Sequence, residues 1–292
     1  MPAPPALFDS LIDYAGLFPP AKLAMKDAVG NFGAYLGGPH AAWLGRFVLP
    51  LARLAEFEAE YSRRPATEQA GWQLSVLAGP DPAADHAAIQ AFNTRQQAAR
   101  IVALETKAGS PSEVTKFTAI FPTALEIWVE VPASGDVTPF IIAIRAAGRG
   151  AKIRTGGVTA DAFPSAAVVA RFLTACRDAG VVCKATAGLH HPLRGDYRLT
   201  DETGGPSGTM FGFLNVFLAA TLLHAGGNPA EAESLLTESV AEKFQVSAEA
   251  IRWRDHVFSS AHILAARQAL GRSFGSCSFT EPVEGLQALR WG

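Results

Sequence analysis

The feature that most constrains the fold is a rhythm. Short apolar runs, each followed by a longer helical stretch, begin roughly 25 to 35 residues apart over most of the chain, the spacing of strand alternating with helix. The strand-like runs fall at 11–17, 46–49, 73–78, 101–105, 125–131, 152–155 and 181–187, with a last one at 274–280. Between them, 24–36, 51–62, 81–97, 139–147, 164–179 and 211–225 read as helices, and another opens at Ser110. Two openings carry explicit signals: Asp81-Pro82, and Ser110-Pro111-Ser112-Glu113 with its serine cap, first-turn proline and following acid. Eight strands in alternation with helices imply an α/β chain closed as a (β/α)8 TIM barrel, one domain over 1–292. The rival, a doubly wound open sheet in its dinucleotide-binding form, needs an early G-x-G-x-x-G turn that is missing.

The rhythm breaks after the seventh strand. A polar, glycine-rich loop spans 189–209, and its Gly204-Gly205-Pro206-Ser207-Gly208-Thr209 run reads as an anion-binding helix start or as a lid over the barrel mouth. Residues 229–270 read as an extra helical insertion before the last strand, and 283–289 as a terminal helix.

Composition bounds the function class. With 49% hydrophobic and 18% charged residues the chain is far from the disordered regime. The net charge of −2 without a basic block excludes a nucleic-acid partner, which needs a clustered cationic face. Cys176, Cys183 and Cys277 form no C-x-x-C pair and are odd in number, as expected of thiols kept reduced. The apolar stretch 210–225 is shorter than the roughly 20 residues that span a bilayer and contains Asn215 and His224, so it reads as a buried helix. The start of the chain lacks the pattern of a secretory signal. A cytoplasmic protein acting on a small molecule, with no membrane partner, is expected; pairing of barrel helices leaves a homo-oligomer open.

The candidate site comes from charged residues set in strands. Lys152 and Arg154 share one face of a strand that stops at Gly156, and Lys184 and Thr186 share one face of the next, which stops at Gly188. Lysine among core-type neighbours is costly unless its charge is paired or used. Glu105 ends the fourth strand, and Glu126 and Glu130 share a face of the fifth. In a barrel such groups gather at the carboxyl ends of the strands, where neighbouring ammonium groups would push at least one lysine toward its neutral, nucleophilic form. Lys152, Lys184, Glu105 and Glu130 are therefore the catalytic candidates, with the glutamates moving protons. Arg154, Thr186, His190, His191, Ser278 and Glu281 are the substrate-binding candidates, Arg154 for an anionic group. With neither H-x-H nor H-E-x-x-H no metal is expected, nor any cofactor, and Cys277 has no base identifiable from sequence.

Lys152-Ile153-Arg154-Thr155-Gly156 and Lys184-Ala185-Thr186-Ala187-Gly188 resemble the paired lysine strands of class I aldolases of the deoxyribose-phosphate aldolase type. The resemblance implies that Lys152 forms an imine and that Lys184 tunes its acidity. Arg154 departs from that family's small hydroxyl residue, and Ala187 from its glycine. The expected function is a lyase on a small anionic carbonyl or sugar-like compound. The same residues would also serve an isomerase or epimerase working by acid–base chemistry, a barrel that only binds a small anion, or a structural layer of ion pairs.

Overall fold

The computed structural model describes residues 3–69, 71–200 and 204–291; the first two residues of the start read above, and 201–203 of the glycine-rich loop, lie outside them. Eight parallel strands form a closed barrel: β1 (Ile12–Tyr14), β2 (Leu44–Pro50), β3 (Trp72–Leu77), β4 (Ala99–Lys107), β5 (Glu126–Glu130), β6 (Gly150–Arg154), β7 (Cys183–Thr186) and β8 (Gly271–Ser276). Neighbours around the ring follow chain order, and β1 pairs with both β2 and β8 to close it. The helices that cover the strands are α1 (Met25–Leu36), α2 (Leu54–Tyr61), α3 (Pro82–Arg95), α4 (Pro111–Thr118), α5 (Thr138–Ala146), α6 (Ala166–Ala179), α7 (Phe213–His224) and α8 (Thr280–Ala288). This is the (β/α)8 architecture that the alternation implies.

Local chemistry sets the helix ends. Asp81 accepts hydrogen bonds from the Ala83 and Ala84 amides at the start of α3, and Ser110 accepts one from Glu113 at the start of α4. Helix α7 is buried from Phe213 to Leu223, which accounts for its apolar sequence without a bilayer. No helix among the described residues is long and apolar enough to cross a membrane.

Two segments differ from the sequence reading. The glycine-rich loop contains an antiparallel hairpin, Gly195–Arg198 with Ser207–Met210. The insertion is helical only at its ends, Pro229–Leu236 and Ser260–Ala269; between them lies a three-stranded antiparallel sheet of Phe244–Val246, Ala250–Trp253 and His256–Ser259. Ile251, Trp253 and Phe258 are buried on one face, while Arg252 and Val257 are exposed. That alternation of period two marks strands. The turn between the last two strands lacks glycine and asparagine, and Arg254 takes the left-handed conformation instead, with φ of 52°.

Around the outside of the barrel, an aromatic cluster joins sheet to helices: Phe32 from α1, Phe47 from β2, Phe57 and Tyr61 from α2, and Trp72 from β3. Arg149, just before β6, performs a comparable task with hydrogen bonds. Its buried guanidinium donates to the carbonyls of Phe121 and Leu125 at 2.8 Å, Pro122 at 3.2 Å and Thr118 at 3.3 Å. It thereby ties the end of α4 and the approach to β5 to the root of β6, the two strands that carry Glu130 and Lys152. Replacing it with an apolar side chain removes the hydrogen bonds to the Phe121 and Leu125 carbonyls, while Thr118 and Pro122 keep those from the Phe121 and Leu125 amides. Arg149→Met is expected to lower stability by about 3 kcal/mol, read as the shift in urea unfolding.

Candidate active site

Register decides which charges meet. Residues directly opposite on parallel strands project to the same face, and the pairings run Lys107 to Glu130, Glu130 to Lys152 and Lys152 to Lys184. The two lysines are thus brought side by side in the barrel interior, 4% and 2% exposed. Left alone they would repel. Glu105, reaching in from β4, resolves this: its Oε2 lies 3.0 Å from Lys152 Nζ and its Oε1 lies 2.7 Å from Lys184 Nζ. Ser75 of β3 donates a further hydrogen bond to Oε1 at 2.8 Å.

The network continues in both directions. Lys184 also contacts Asp13 Oδ2 of β1 at 2.6 Å, and Ser273 of β8 donates to the same oxygen at 2.9 Å. Lys152 contacts Glu130 Oε2 at 2.9 Å. Glu130 Oε1 faces Lys107 at 3.3 Å and Arg154 at 3.5 Å. Four cations therefore surround three carboxylates, Asp13, Glu105 and Glu130.

The electrostatics follow from these contacts. Burial alone would raise the Glu105 carboxyl, but Lys184 and Lys152 outweigh it and hold the group below the usual carboxylate range. Glu130 moves in the same direction, burial being overcome first by Lys152 and then by Arg154 and Lys107. For Lys184, burial favours the neutral form, and Asp13 and Glu105 overcome it so that the ammonium is stabilised. Glu105 and Glu130, which the sequence places beside the lysines, together with Asp13, which it does not, outweigh the expected repulsion, and Lys184 is held as the ammonium.

A cavity of about 690 Å³ opens above this network at the carboxyl ends of the strands. Its wall includes Lys152, Glu105, Glu130, Arg154, Thr186, His190, His191, Ser278 and Glu281, nine of the ten candidates; Lys184 sits outside the lining, behind Lys152. Arg154 reaches the mouth with 46% of its side chain exposed. Ser278 lines the cavity but also caps α8, accepting from the Glu281 amide at 3.1 Å. Glu126 belongs elsewhere: it pairs with Arg46 of β2, and neither lines the cavity.

The two histidines divide. His190 Nδ1 lies 2.7 Å from Glu281 Oε2 and its Nε2 lies 3.9 Å from Cys277 Sγ. Burial pushes the imidazole toward neutrality, but Cys277 and Glu281 outweigh it and lift His190 to about 10. His191 is pushed the other way, by burial and then by the His190 charge, and stacks on Tyr197 with ring centroids 3.5 Å apart. Among the described residues, no group of three or more His, Cys, Asp or Glu side chains is arranged to hold a metal ion.

The glycines that end β6 and β7 have a steric cause. A Cβ at Gly156 would come within 2.8 Å of Gly188 Cα, so the two loops touch backbone to backbone. Thr155 Oγ1 donates to the Ala187 carbonyl at 2.7 Å and clamps them. Ala187 and Gly188 both have positive φ, 66° and 71°, which turns the chain so that His190 comes back over the barrel.

Sequence reasoning passed over Asp13 and Lys107, and left Cys277 without a partner. Asp13 carried the same signal as Glu105, an acid within an apolar strand, in Leu11-Ile12-Asp13-Tyr14. The partner of Cys277 lies 87 residues away and becomes visible only when β7 and β8 pair.

Comparison of the chain with protein-family models, with curated proteins and with solved structures finds no match. The reading of the site therefore rests on its geometry.

Because Glu105 and Glu130 ionise more readily folded than unfolded, each contributes stability that is full above about pH 5 and is lost as the pH falls through about 4 toward the folded value. Lys184 acts oppositely, contributing below about pH 10 and losing its contribution as the pH rises through its folded value. Urea unfolding across pH is expected to show a plateau at neutrality and a fall in acid. Glu105→Gln, which strands two buried ammonium groups, is expected to lower the plateau by about 3 to 5 kcal/mol and to make the acid fall shallower.

Proposed function

We propose that the protein is an enzyme acting on a small anionic carbonyl or sugar-like compound, a Schiff-base lyase in which Lys152 is the amine. One observation carries this reading: Lys152 Nζ stands on the cavity wall between two carboxylates, with Glu105 at 3.0 Å and Glu130 at 2.9 Å. Lys184 touches the same Glu105 from outside the cavity and supplies fixed positive charge behind the reacting amine.

The chemistry suits the charge arrangement. An ammonium and a carbonyl condense to a protonated imine and water, so the nitrogen carries one positive charge before and after. Glu105 and Glu130 face that charge throughout, and either can accept an ammonium proton and return it to the departing hydroxyl. The protonated imine then takes up the electron pair of the carbon–carbon bond that breaks and becomes an enamine, while a glutamate carboxylate takes the hydroxyl proton of the fragment that leaves as an aldehyde. Arg154 and Lys107 at the mouth, with more cations than carboxylates around them, suit an anionic group on the substrate.

A second reading has its own support. Glu130 lines the cavity and is held as the carboxylate, burial being overcome first by Lys152 and then by Arg154 and Lys107. An ionised carboxylate on the cavity wall suits proton abstraction next to a carbonyl, the chemistry of an isomerase or epimerase without an imine.

Borohydride reduction in the presence of small anionic aldehydes and ketones separates them. A covalent adduct is expected on the peptide that carries Lys152, absent in Lys152→Met. Substrate-dependent proton exchange with no trapped adduct would instead establish the isomerase, and binding without exchange or adduct a non-catalytic barrel.

A further inference from the structure

A second reactive constellation occupies the same cavity, away from Lys152. Cys277 follows the last residue of β8 directly, His190 lies in the loop after β7, and Glu281 stands in the first turn of α8. All three line the cavity. The Cys277 thiol, 8% exposed, has His190 Nε2 at 3.9 Å, and the opposite ring nitrogen is held by Glu281 at 2.7 Å. A nucleophile, a base, and a carboxylate that fixes the tautomer of that base, taken in this order, are the parts of an activated thiol. The other two cysteines offer no such setting. Cys176 and Cys183 are buried against each other, 0% and 2% exposed, and neither lines the cavity.

We infer that Cys277, His190 and Glu281 make a covalent thiol centre that captures the carbonyl carbon of a small anionic aldehyde as a thiohemiacetal. In that step Cys277 Sγ bonds to the carbonyl carbon and the electron pair of the C=O π bond moves to oxygen. The single proton shared between Sγ and Nε2 ends on that oxygen. Nothing is oxidised or reduced, and no further reactant is needed. The His190 imidazole delivers the proton from Nε2, because Glu281 occupies Nδ1. Arg154 and Lys107, at the mouth of the same cavity, suit the anionic end of the aldehyde. This centre does not depend on imine formation at Lys152, and its test is read on a different atom.

Two measurements on the full chain test it. In the first, the folded protein is treated with iodoacetamide and mapped by mass spectrometry. Cys277 is expected to be labelled while Cys176 and Cys183 stay unlabelled. His190→Ala is expected to slow the labelling about a hundredfold, and imidazole added to the buffer to restore part of the rate, which a merely structural role would not allow. In the second, isotopically labelled glyoxylate is followed by carbon NMR. A protein-bound tetrahedral carbon is expected in the wild type and in Lys152→Met, and is expected to vanish in Cys277→Ser, whose unfolding curve serves as the control for the fold. Labelling of Cys277 at the rate of the urea-unfolded chain, an unchanged rate in His190→Ala, or a tetrahedral carbon that survives in Cys277→Ser would overturn the inference.

Discussion

Glu105 is the interaction on which the upper half of the barrel depends. Its two oxygens are divided between two ammonium groups that strand register sets directly opposite each other. Without it, β6 and β7 would have to pair while holding like charges together in the interior. A buried ionic cluster of this kind does little for stability, since desolvation consumes much of the Coulombic gain and an apolar layer of the same volume is often as stable or more so. Barrel interiors are ordinarily filled by branched aliphatic side chains. A layer of charged groups where Val, Ile or Leu would pack is therefore better explained by what it does than by what it stabilises.

The same barrel contains an internal comparison. Arg46 and Glu126 form an ion pair between β2 and β5 that does not line the cavity, although Asp13 and Glu105 also act on the Arg46 charge. The network around Lys152 differs in two respects. It borders a cavity large enough for a small metabolite, and it is unbalanced: Glu130 alone faces Lys107, Lys152 and Arg154. Excess positive charge in a confined, partly dry space attracts anions and resists self-neutralisation. Groups held in place before a ligand arrives need little reorganisation when it does.

Much of this was legible in the sequence because both signals involved are local. The strand and helix alternation needs only hydrophobic periodicity and caps, and all eight barrel strands overlap the short apolar runs of the sequence. Lys152, Lys184, Glu105, Glu130 and Arg154 emerged from one rule, that a charge in an apolar strand needs a reason, and four of these five border one cavity. What was missed depends on distance in the chain or on unusual turns. Asp13 obeys the same rule, within the run read at 11–17, but its partner Lys184 lies 171 residues along the chain. The sheet within 229–270 was taken for helix because its hairpin turns on Arg254, a residue that does not announce a left-handed conformation. The pairing of Cys277 with His190 exists only because β7 and β8 are neighbours in the closed ring.

The division of labour between the lysines follows from the same geometry. Lys184 has carboxylates on two sides, the Trp128 ring 5.9 Å from its ammonium, and no opening to the cavity, so its proton is held and a substrate cannot reach it. Lys152 has equal carboxylate support but stands on the cavity wall. Of two lysines placed side by side by register, one is enclosed by its partners and the other borders the cavity. The selection is made by position around the ring: Asp13 of β1 reaches only Lys184 on β7, whereas Glu130 of β5 reaches only Lys152 on β6.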